Sequence, residues 1–136
     1  MIAALVSRGL CKEEIAIWGD GSLVRDFIFV DDVVEAMVAA ANDQSNERVF
    51  NICSGQGRSI LEIIGTIESH LGTLKISWKP SRATDVPVSV LSIDRAKQVL
   101  NWTPKISFEA GMDRRLHGGG AESWMFRELR ASSDFW

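Results

Sequence analysis

Arg25 stands inside a β-prone run, Leu23-Val24-Arg25-Asp26-Phe27-Ile28-Phe29-Val30, directly after a Gly19-Asp20-Gly21 turn. A guanidinium on a rigid strand suits a phosphate, because its planar fork donates two parallel hydrogen bonds to one anion. Anionic-ligand binding is the chemistry this stretch predicts. Asp26, Asp31 and Asp32 lie close by and could be taken for a magnesium site or a catalytic carboxylate cluster. Asp32 reads more simply as a helix N-cap with Glu35 completing a capping box, and Asp26 as a residue that orients Arg25 or pairs nearby. Gly55-Gln56-Gly57-Arg58-Ser59 has the setting of a phosphate-cradling loop, but Ile60 occupies the place of the third glycine, so it reads as a plain turn. His70 and His117 stand apart from one another and have no partner at metal-ligand spacing, so no metal site is expected. Cys11 and Cys53 read as buried free thiols.

These residues need elements to position them. Residues 2–11 read as a short helix, and residues 15–18 and 23–30 as two strands joined in a hairpin by the Asp-Gly turn. A helix opening at Asp32 carries Val33, Val34, Met37, Val38 and Ala41 as its apolar stripe. Residues 49–53 read as a strand and 54–58 as a turn. Ser59 with Glu62 forms a second capping box, followed by Ile60, Ile63, Ile64, Ile67 and Leu71 at helical spacing up to Gly72. Residues 75–78 and 88–91 read as strands, 94–100 as a helix, and Ser107 as the cap of a last helical start. The order predicts an α/β fold.

The chain has 136 residues, 46% hydrophobic and 24% charged, enough for one domain or a large piece of one. A net charge of −3 argues against a broad basic face for nucleic acid, and Trp18, Trp78 and Trp102 read as core or pocket walls rather than a base-stacking platform. No apolar run approaches the length of a membrane span, and the N-terminus makes a poor signal peptide, so a cytoplasmic protein is expected.

Four segments stand in a fixed order: residues 15–32, then Val49-Phe50-Asn51-Ile52-Cys53-Ser54-Gly55, then Arg82-Ala83-Thr84-Asp85-Val86-Pro87, then Asn101-Trp102-Thr103-Pro104. Together they resemble the C-terminal half of the extended short-chain dehydrogenase/reductases, in the NAD-dependent epimerase/dehydratase family and nearest to enzymes of the UDP-glucose 4-epimerase type. The resemblance covers about residues 1–112 and implies the C-terminal portion of an extended Rossmann-type epimerase, lacking most of the N-terminal nucleotide-binding sheet. It implies a UDP-sugar ligand: the backbone around Ala16 and Trp18 at the uracil, Arg25 and Arg82 clamping the diphosphate, Asp85 at the ribose or holding Arg82, and Ser89 beside the sugar.

The family takes NAD from an N-terminal Gly-rich turn and its general base from a Tyr-x-x-x-Lys pair. This chain contains no tyrosine, so the pair cannot exist in it. The resemblance therefore implies no catalytic residue and no cofactor site in this chain alone, with NAD belonging to the full-length family. The family also implies that the helix after Asp32 and the strand at 49–53 join a cofactor-binding sheet. Without that sheet, self-association or a missing N-terminal portion is expected. Residues 113–136 match nothing in the family pattern and read as an atypical tail, with an amphipathic segment at 122–130. Two alternatives stand beside the incomplete epimerase: a non-catalytic binding or interaction module or degenerate gene product, and a fragment of a nucleotide-sugar dehydratase or decarboxylase.

Overall fold

The computed structural model describes residues 1–117; the first five residues of the atypical tail, 113–117, end α5, and the rest of it, including the segment at 122–130, lies outside the described residues. In chain order the elements are α1 (Ile2–Leu10), β1 (Glu14–Trp18), β2 (Val24–Asp26), α2 (Val30–Ala41), β3 (Gly57–Ser59), α3 (Ile60–Leu71), β4 (Lys75–Lys79), β5 (Val88–Ser89), α4 (Asp94–Val99) and α5 (Phe108–His117). The α/β class is as expected. The strands form a two-stranded sheet, β1-β4, and a three-stranded sheet, β3-β2-β5.

The expected hairpin between β1 and β2 does not form. β1 pairs in parallel with β4, from Glu14 opposite Lys75 to Trp18 opposite Lys79. β2 has both of its edges occupied, antiparallel to β3 and parallel to β5. The Asp-Gly turn is real, with the Asp20 carboxylate accepting the Ser22 N–H at 2.9 Å, but it carries the chain around a corner between the two sheets. Gly57 permits the β2–β3 approach, since a Cβ there would lie 2.5 Å from a Val24 methyl and 2.8 Å from a Val90 methyl. β3 thus begins inside the segment read as a turn.

The main core lies where α1 and α3 cover the β1-β4 sheet. Leu5, Val6, Ile15, Ile17, Ile63 and Ile67 are buried there, with Met112 of α5 closing one end. α3 follows its sequence pattern closely. Its capping box is complete, the Ser59 N–H donating to Glu62 Oε2 at 2.7 Å and the Glu62 N–H to Ser59 Oγ at 3.2 Å. A second cluster gathers Ala36, Ala96 and Trp102, with Ile28, Phe50, Ile52 and Leu100 packed against it.

Residues 49–53 are not a strand. Phe50 and Ile52 turn toward the second cluster as in a strand, but no described strand lies alongside to form a ladder. Helix α2 also departs from its pattern. It starts at Val30, its N-cap is Phe29, and it buries Asp32 and Ala36 while Val34, Met37, Val38 and Ala41 are exposed. Asp32 is therefore not the N-cap. Its carboxylate is 1% exposed and accepts the N–H of Lys105 and of Ile106, each at 3.0 Å. That bond pair fastens the chain between Trp102 and α5 onto the first turn of α2. Of the two cysteines, Cys53 is buried as expected and Cys11 is exposed.

α5 docks through two acidic residues one turn apart. Glu109 meets Arg58 at 2.6 Å and Asp113 meets His70 Nε2 at 2.7 Å. His70 Nδ1 faces the Thr66 carbonyl at 2.8 Å, so both ring nitrogens have acceptors and the imidazolium is favoured. The Thr66 carbonyl first, then Asp113, raise the His70 pKa above its ordinary value. A raised folded-state pKa means that this contribution to stability is full below about 6.5. It is lost as pH rises through the folded value. NMR titration is expected to place the His70 midpoint above that of an unstructured histidine and to move it down in Asp113→Asn; an unshifted midpoint in both proteins contradicts the docking pair. Asp32→Ala leaves two inward backbone donors without their acceptor and is expected to cost about 3 kcal/mol in urea unfolding; a loss within about 0.5 kcal/mol would show that the carboxylate is not a fastener.

Candidate functional site

The three residues of β2 do separate work because successive side chains on a strand face opposite ways. Asp26 points away from Arg25. Its Oδ1 accepts the Ser54 N–H at 2.8 Å and its Oδ2 the Gly55 N–H at 2.9 Å, pinning the turn that leads into β3. Asp26 therefore pairs elsewhere, the second of its two readings, and does not orient Arg25. Strand alternation was the signal that could have shown it.

Arg25 is half-buried on the other face. Its Nη1 donates to the Val24 carbonyl at 2.7 Å and to the Val86 carbonyl at 2.8 Å. Both Nη1 hydrogens are thus engaged, and Nε and Nη2 form a fork not used in either bond. No carboxylate pairs with Arg25 among the described residues, whereas the half-buried Arg58 has Glu109. Ser89 stands opposite Arg25 in the parallel β2–β5 register, and the Val24 N–H donates to the Pro87 carbonyl at 2.8 Å.

Trp18 and Ala16 lie on the exposed face of β1, opposite the side that buries Ile15 and Ile17. The Arg82 guanidinium sits over the Trp18 ring, 4.5 Å from its centroid, and Arg82 Nε is 3.8 Å from Asp85. The Asp85 N–H donates back to the Arg82 carbonyl at 3.1 Å. The structure therefore gathers the expected residues into two groups, Trp18 with Arg82 and Asp85, and Arg25 with Ser89. Residues 80–87 join them, leaving the β1-β4 sheet at Lys79 and entering the other at Val88. Ala16 shares the Trp18 face without touching either group's polar atoms. The residue that sequence reasoning missed is Val86, whose contribution is a backbone carbonyl and so carries no side-chain signal.

A separate cleft of about 210 Å³ is lined by Phe27, Ser54, Gln56, Arg58 and residues 104–108, and none of the expected site residues reaches it. The Cys53 thiol is pushed up chiefly by burial and is a protonated core group. Among the described residues no cluster of three or more His, Cys, Asp or Glu side chains could hold a metal, and no helix is long and apolar enough to cross a membrane.

The turn at residues 55–60 does not have the form of a dinucleotide-binding turn. Gly57, the second glycine of the Gly-rich turn, is used in the β3–β2 pairing, where a Cβ would meet Val24 and Val90. Ile60 in the third position is buried, and Glu62 bonds back to the Ser59 N–H at the start of α3. A pyrophosphate would meet a carboxylate there instead of open donors.

This α/β arrangement, with two parallel strand pairings and one antiparallel, is that of part of an extended short-chain dehydrogenase/reductase. The family model described as "NAD dependent epimerase/dehydratase family" matches residues 1–53. The structure of the UDP-glucose 4-epimerase of Thermotoga maritima with UDP-glucose superimposes with a TM-score of 0.76 at 39% identity, over 82% of this chain and 36% of that one. The UDP-glucuronic acid 4-epimerase of Bacillus cereus, in complex with UDP-glucuronic acid and NAD, superimposes at 0.76 and 28% identity, over 82% and 37%. UDP-glucuronic acid decarboxylase 1 of Arabidopsis thaliana is 31% identical over 119 residues, 85% of this chain and 27% of that protein. The chain is similar to the NAD-dependent epimerase/dehydratase family, through its first 53 residues to the family model and over about four fifths of its length to a solved epimerase. It spans about a third of the length of the curated relatives it matches.

Proposed function

We propose that this chain is the UDP-sugar-binding portion of an NAD-dependent nucleotide-sugar 4-epimerase, catalytically incomplete by itself. The observation that carries this reading is Arg25: a half-buried cation whose described partners are two neutral carbonyls, leaving its charge for an anion. Arg82, in the same segment and stacked on the Trp18 ring, supplies a second cation, and the backbone around Ala16 and Trp18 is left to meet the uracil. Two arginines on one diphosphate neutralise its charge and discriminate against ligands that lack it. The general base and the redox cofactor belong to structure this chain does not contain. The same grip serves a nucleotide-sugar decarboxylase equally well, and the Arabidopsis relative of that name supports this second reading.

The partner side of the reading rests on exposed apolar surface. Val30, Val34, Met37 and Val38 line one side of α2, each more than half exposed, and Val49 at the start of the unpaired segment is 66% exposed. In a longer family member further α/β structure covers this face. In the chain by itself a second copy covers it.

Calorimetry with UDP is expected to show binding that weakens by about 2 kcal/mol or more in Arg25→Ala, as when one partner of a charge-assisted pair is removed. A folded, monodisperse sample that gives no heat with UDP rules the reading out. Light scattering is expected to report a mass above 15.1 kDa that rises with concentration, and Met37→Glu to lower it; a monomer at every concentration removes self-association.

A further inference from the structure

Residues 80–87 form a strap between the two sheets. Its ends are stapled by backbone bonds, the Gly19 N–H to the Lys79 carbonyl at 2.9 Å and the Val24 N–H to the Pro87 carbonyl at 2.8 Å. Between the staples every residue except Asp85 is exposed, so burial does little to hold the strap in place. What fastens its interior is a pair of arginine contacts: Arg82 on Trp18, and Arg25 Nη1 on the Val86 carbonyl at 2.8 Å.

The Arg25 contact also fixes the guanidinium. With Nη1 bridging the Val24 and Val86 carbonyls, the planar group cannot rotate freely, and its Nε–Nη2 edge is the one that remains. That edge is a fork matched to two oxygens of one phosphate. We propose that the strap is a positioning device: the Val86 carbonyl pre-orients Arg25, so that closure of the strap and diphosphate binding at Arg25 promote one another. The inference rests on the diphosphate reading above and adds its coupling to the strap. An arginine already held in its binding orientation loses less conformational freedom when the ligand arrives. By linkage, a ligand that prefers the held arginine must stabilise the closed strap by the same factor.

The test compares amide exchange and UDP affinity in the same proteins. In the wild type, saturating UDP is expected to slow exchange of the Asp85 and Val24 amides, whose acceptors are the Arg82 and Pro87 carbonyls. A strap loosened by Ala83→Gly with Thr84→Gly, positions remote from the fork, is expected to bind UDP roughly fivefold more weakly, through the added chain entropy. Arg25→Lys keeps the charge but cannot bridge two carbonyls and present a fork, so in it UDP is expected to leave strap exchange unchanged. If UDP binds the wild type without slowing the strap amides, or the loosened strap binds as tightly as the wild type, the coupling is wrong and the binding reading stands. If UDP does not bind at all, both fall. Thermal midpoints of the variants distinguish a loosened strap from a general loss of fold.

Discussion

Backbone N–H groups that lie outside any ladder need an acceptor, and here two aspartates supply it. Asp32, 1% exposed, takes two from the segment before α5. Asp26 takes two from the turn before β3. A carboxylate out of water is tolerable only when donors satisfy it, and backbone donors are tolerable only when something accepts them, so each need is met by the other. The two bonds set where irregular chain can lie. Asp26 brings β3 onto β2, and Asp32 folds residues 101–107 back so that Trp102 and Met112 reach their separate cores. The sheet that holds Arg25 and Ser89 exists in this form because its neighbouring loops are tied down.

Arg58, Arg95, Arg114 and Lys105 each meet a carboxylate. Arg8 and Arg48 meet only carbonyls but are exposed, whereas Arg25 does so half-buried. A half-buried charge without a counter-charge lowers stability, and such groups persist where a ligand completes them. Its neighbour on the strand shows the complementary arrangement, since both Asp26 carboxylate oxygens accept from Ser54 and Gly55. Two adjacent ionisable residues thus have opposite surroundings, one met by donors from a neighbouring turn and the other by two carbonyls. Strand alternation is what separates them.

The sequence was legible wherever a segment's structure depends on near neighbours. The capping box at Ser59 and Glu62, the isoleucine stripe of α3 and the stop at Gly72 all act within a turn or two of helix, and the structure reproduces them. It was illegible wherever the partner is remote. The Asp-Gly turn suggests a hairpin, but β1 finds β4 some sixty residues on. Residues 49–53 have the composition of a strand and lack a neighbour to make them one. The apolar residues of α2 suggest a buried stripe, yet the helix buries Asp32, whose partners are 73 and 74 residues away. Of the site, Arg25, Trp18, Arg82 and Asp85 came from motif order, while the carbonyl of Val86 could not, because every residue has one.

What the residues alone point to is a family resemblance and the chemistry within reach: two arginines proposed for a diphosphate, and no tyrosine for the general base that the resemblance calls for. Those follow from side-chain identity, which no fold can alter. What only the tertiary structure decided is how the arginines are held. Their orientation depends on a strap between two sheets, and the strap's course depends on backbone bonds made across sixty residues of chain. Such bonds are formed by groups common to every position, so geometry selects them and composition cannot.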